Sequence, residues 1–95
     1  MVEGSGFGGK SMKQVAMDVA EGFTTMNPLI LKKFDKDMIK ALYEHLNKSM
    51  NSVRNLPVHF HDVPAMRMKN MKLQRLHNAL IVLRNHAREK RIQLI

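Results

Sequence analysis

The stretch Pro64–Ile95, PAMRMKNMKLQRLHNALIVLRNHAREKRIQLI, decides how this chain is read. Leu73, Leu76, Leu80, Leu83, Ala87 and Leu94 recur in it at steps of three, four and seven. On a helical wheel they fall within about a quarter of the circle, the mark of a helix packed on one side. The same residues hold Arg67, Lys69, Lys72, Arg75, Arg84, Arg88, Lys90 and Arg91 against Glu89 alone. That is a net charge of +7, out of +8 for the whole chain. One segment thus offers a core-forming stripe and nearly all the net charge.

Working back from it, Lys36–Arg54 gives the cleanest amphipathic pattern. Ile39, Leu42, Tyr43, Leu46, Met50 and Val53 line one side, and Lys40, Glu44, Asn47 and Lys48 lie opposite. Asp35 is its cap, and Asn55-Leu56-Pro57 ends it, because proline removes a donor and restricts the residue before it. Asn27-Pro28 starts a short helix over Leu29-Ile30-Leu31, with a capping residue followed by proline. Ser11-Met12-Lys13-Gln14 fits a capping box. Met12, Val15, Ala16, Val19, Phe23 and Met26 follow on one face, so a helix is expected from Met12 to Thr25. Asp62, with Pro64 behind it, is expected to cap a last helix reaching about Gln93, with a kink near Asn85. The expected core is Val15, Val19, Phe23, Ile39, Leu42, Leu46, Leu73, Leu76, Leu80 and Leu83.

The fold class is therefore all-α: a small bundle of three main helices and one short one, with a long basic C-terminal helix. Residues 1–10 read as a flexible Gly-rich segment, and residues 11–95 as a single helical domain. There is no Cys, which excludes disulfides and thiolate chemistry. No apolar run approaches the ~18 residues of a membrane span, so the expectation is a soluble, intracellular protein.

Two motifs invite chemistry. Gly4-Ser5-Gly6-Phe7-Gly8-Gly9-Lys10-Ser11 spells the phosphate-loop pattern. That loop needs a buried strand before it and an acidic residue for Mg²⁺, and this sequence supplies neither. Gly9, Lys10 and Ser11 remain weak candidates for holding an anion at a helix start. In Val58-His59-Phe60-His61-Asp62, His59, His61 and Asp62 are weak metal-ligand candidates, too few for a structural zinc site. The plainer reading docks Phe60 in the core and leaves both His solvated. No nucleophile stands beside a base, so no enzyme activity and no cofactor are expected.

The functional expectation rests on charge. An exposed helix ordinarily mixes signs to gain i,i+4 pairs. The eight cations named above lack that compensation, so they are the candidate nucleic-acid-binding residues. Scarce aromatics argue against base stacking and for phosphate contacts to duplex DNA or structured RNA. The alternative is a protein-interaction module using Met71, Ile81, Val82 and Ile92, apolar residues off the main stripe, with an acidic protein as partner. A membrane-surface helix is a third reading, disfavoured by the lack of Trp and Phe in the segment.

Overall fold

The cap signals set the helix starts. In the computed structural model, which describes residues 11–59 and 61–94, four helices run α1 (Met12–Glu21), α2 (Pro28–Leu31), α3 (Lys36–Arg54) and α4 (Val63–Glu89). Each begins on an expected cap. Ser11 Oγ accepts from Gln14 N, Asn27 Oδ1 from Ile30 N, Asp35 Oδ1 from Met38 N, and Asp62 Oδ1 from Ala65 N, at 2.8–3.1 Å. Such caps satisfy donors that the first helical turn leaves open. No strand occurs among the described residues, and the protein is an all-helical bundle.

α3 and α4 run antiparallel: Lys69 reaches the carbonyl of Leu56 at one end, and Arg84 lies over Tyr43 further along. α1 packs against both, and α2 against α4. Between them Val15, Ala16, Val19, Leu31, Ile39, Leu42, Leu46, Leu76, Leu80 and Leu83 are almost wholly buried. Phe34 and the alanines Ala79 and Ala87 complete the centre.

Several expectations are corrected. α1 ends at Glu21 and not at Thr25, because Gly22 turns left-handed at φ 84°. Gly22 N and Phe23 N then donate back to Val19 O and Asp18 O, the hydrogen bonds of a Schellman end. That turn swings Phe23 off the stripe. It is 79% exposed instead of buried in the core. Asp18, a carboxylate outside that apolar stripe, is also buried. The capping box is half formed: the Gln14 side chain donates to Asp18 Oδ1 at 2.9 Å and not back to Ser11 N. Leu73 is half-buried at the edge of the core.

α4 runs uninterrupted through Asn85 and stops at Glu89, short of the expected Gln93. Its end resembles that of α1, with Ile92 N on Ala87 O and Arg91 N on Arg88 O. Here Arg91 takes the left-handed position, at φ 57°. The Gly-rich segment up to Lys10, and Phe60, lie outside the described residues.

Candidate nucleic-acid interface

Six of the eight candidate cations sit on α4, with Lys90 capping it and Arg91 just beyond, and their surroundings divide them. Positions 67, 71, 74, 78, 81 and 85 face outward, opposite the Leu76–Leu80–Leu83 stripe. Arg67 is on this outer side and exposed.

The flank toward α1 holds Lys72 and Arg75. Lys72 Nζ is 3.1 Å from Glu21 Oε2. Arg75 Nη1 donates to Ala20 O at 3.1 Å and so satisfies a carbonyl at the end of α1. Gly22 permits this approach, since a Cβ there would lie 2.8 Å from Arg75 Cζ. Lys69, near the start of α4, donates to Leu56 O at 3.0 Å and ties the end of α3. These three cations contact the protein's own chain.

The flank toward α3 differs. Arg84 Cζ lies 5.9 Å from the centre of the Tyr43 ring, within cation–π range. Arg88 stands one turn further on and is exposed. Across the seam, Lys36 and Lys40 precede Tyr43 by seven and three residues, so Tyr43 stands at the edge of the apolar stripe with Lys36 next to it and Lys40 further round toward the outer face. At the other end, Arg54 and Met50 face Asn70, Gln74 and His77 across a shallow cavity. Arg54 also donates to Asn51 Oδ1 at 3.3 Å. The seam therefore carries Lys36, Lys40, Arg54, Arg84 and Arg88, with Asn47, Asn51, Asn70 and Gln74 between them. From Asn70 to Arg88 the α4 side of the seam carries no Asp or Glu. On α3, Glu44 stands four residues after Lys40 and three before Asn47, and Asp37 three before Lys40, so two acids accompany the lysines there. Glu89 lines a cavity on the α2 side of α4.

Lys90 and Arg91 sit at the end of α4 with His86 and Arg88, where cations complement the helix dipole. His86 is buried, and its pKa is lowered from the ordinary 6.5. Desolvation is the main cause, and Lys90 adds to it. Glu89 opposes, and Lys32 lowers it slightly further.

The weaker candidates have simple places. Ser11 and Asp62 are helix caps, and His59 and His61 are exposed. Among the described residues no three His, Asp or Glu side chains converge on a metal position. Gly9 and Lys10 lie outside the described residues. No described helix is long and apolar enough to cross a membrane.

The concentration of charge in the last third hid Lys36, Lys40 and Arg54. A signal for them existed: Lys36, Lys40, Tyr43, Asn47, Asn51 and Arg54 recur at steps of three and four, although Glu44 also stands four residues after Lys40. The importance of this flank follows only from its position beside Arg84 and Arg88. Comparison of the chain with protein-family models, curated proteins and solved structures finds no match.

Proposed function

We propose that this protein binds duplex DNA or structured RNA through the α3–α4 face, mainly by contacts to phosphates. The observation that carries the reading is the α3–α4 seam, to which α4 contributes Arg84 and Arg88 from a stretch, Asn70 to Arg88, without an acid, and α3 contributes Lys36, Lys40 and Arg54. From Lys36 to Arg54 it spans about 27 Å at 1.5 Å per residue, the length of roughly eight base pairs. Arg84 and Arg88 offer planar forks for phosphate oxygens, and Lys36 and Lys40 add point charges. The intervening amides supply hydrogen bonds to backbone or base edges. Tyr43, the one aromatic on this seam among the described residues, is covered by Arg84, which favours backbone contact over base stacking.

The test is binding to a DNA duplex and to a hairpin RNA across a salt series. The proteins are the wild type and three double variants: Arg84→Ala/Arg88→Ala, Lys36→Ala/Lys40→Ala, and Lys72→Ala/Lys90→Ala. Each lost phosphate contact reduces the salt slope by about one. The first two pairs are expected to lower the slope by about two and the affinity by tenfold or more. The third is expected to change both less, because Lys72 is held by Glu21. Undetectable binding at low salt, or equal binding by all four proteins, sinks the proposal.

A further inference from the structure

The opposite flank of α4 carries a second surface, independent of the phosphate-binding reading. Two adjoining cavities of about 420 and 270 Å³ lie between α4 and the α1–α2 connection, and they share Val82. Along α4 the strip runs Arg75, Asn78, Val82, Asn85, Glu89, at steps of three and four, for about 21 Å. Thr24, Thr25, Met26 and Pro28 form the other wall. Phe23 and Leu29 stand at either end of that wall, 79% and 70% exposed, the two most exposed large apolar side chains among the described residues.

The groove has a distinct chemistry. Arg75 donates one N–H to Ala20 O, and no carboxylate among the described residues pairs with its guanidinium. A guanidinium has five N–H donors in a fork that suits a carboxylate. The exposed carboxamides of Asn78 and Asn85 are seven residues apart, about 10 Å along the helix, or about three residues of extended chain. Each carboxamide can both donate to and accept from a peptide unit. Val82 and Met26 give the floor an apolar centre. A duplex backbone offers nothing to such a floor, whereas alternate side chains of an extended peptide do. Glu89 is the only acid on the strip, and Lys90 and Lys32 lie within electrostatic range of its neighbour His86. The surroundings are therefore net basic.

We propose that this groove binds an extended, acidic segment of a partner protein, with a carboxylate on Arg75 and its main chain held by Asn78 and Asn85. Apolar side chains of the segment cover Val82 and Met26 and shield Phe23 and Leu29. The protein would then hold a nucleic acid on one flank of α4 and a peptide on the other.

The experiment is a titration of the isotope-labelled full chain, followed by NMR, with a defined probe: a peptide of about six residues alternating leucine and glutamate, a length matched to the groove. A leucine–lysine peptide of equal length and a short DNA duplex are the comparisons. The glutamate peptide is expected to shift the side-chain amide signals of Asn78 and Asn85. The lysine peptide is expected to bind at least about tenfold more weakly. Asn78→Ala/Asn85→Ala, two exposed positions, should fold normally and lose about tenfold in affinity; Arg75→Gln should lose as much. The proposal is overturned by any of three results. These are no shifts at about 1 mM peptide, equal binding of the lysine peptide, or shifts centred on Lys36, Lys40 and Arg84. Failure of duplex binding leaves this result intact, because the duplex reports the other flank.

Discussion

Lys72 and Arg84 are twelve positions apart on the same helix, both flank the same buried leucines, and both carry one positive charge. Lys72 ends on Glu21 of α1. Arg84 ends on the face of Tyr43 of α3, which has no charge to give it. The difference lies in what each neighbouring helix presents. α1 brings an acid and a carbonyl to the flank it covers, through Glu21 and Ala20. α3 brings Lys36, Lys40 and Arg54 to the other. On the first flank Lys72 is paired from within and Arg75 is tied to a carbonyl, whereas on the second Arg84 meets an uncharged ring. A basic helix in a sequence is thus a supply of cations, and packing decides which of them remain available.

Five changes would break or sharpen this contrast. The largest effect is expected from Leu76→Ala. Leu76 is fully buried on the stripe that both flanks share, so its loss should cost about 2–5 kcal/mol in a denaturant melt. A loss below about 1 kcal/mol would mean that the stripe does not anchor α4.

Gly22→Ala acts on the α1 flank alone. It imposes a side chain on a left-handed residue and drives a Cβ against Arg75. A destabilisation of about 1–2 kcal/mol is expected, together with displacement of the Arg75 guanidinium signals in NMR. Unchanged signals would show that Arg75 does not depend on the glycine.

His86 gives a pH dependence. Its pKa is depressed in the folded state, chiefly by burial, so the unfolded chain takes up the proton first as pH falls. The stability it contributes is complete above its ordinary value of 6.5 and is lost as pH falls through the lower folded value. His86→Gln should flatten the stability profile where pH falls below the ordinary value of 6.5. A profile as steep as wild type would assign that slope to other groups.

The smallest effects separate the two flanks directly. Lys72→Ala removes a partly exposed pair and should cost no more than about 0.5 kcal/mol, less in high salt. Arg84→Ala removes a cation–π contact worth about 0.5–1 kcal/mol, with little salt dependence. Equal salt dependence of the two variants would erase the distinction drawn between the flanks.

The sequence by itself determined the class of the fold and where each helix begins. Ser11, Asn27, Asp35 and Asp62 are local signals: a short oxygen-bearing side chain caps the turn that follows it, whatever packs nearby. Periodicity likewise marked Ile39, Leu42, Leu46, Leu76 and Leu80 as core, because burial on one side of a helix needs that spacing. The helix ends were harder. Gly22 stops α1 before the apolar pattern does, and Arg91, not a glycine, takes the left-handed turn after α4. Phe23 fits the stripe and is outside it, since backbone hydrogen bonding at the end of α1 overrules the period. The availability of the basic residues was decided only by the tertiary structure. Coulomb interaction depends on distance in space, and the sequence does not state that Glu21 meets Lys72, that Ala20 meets Arg75, or that Arg84 lies over Tyr43 of α3.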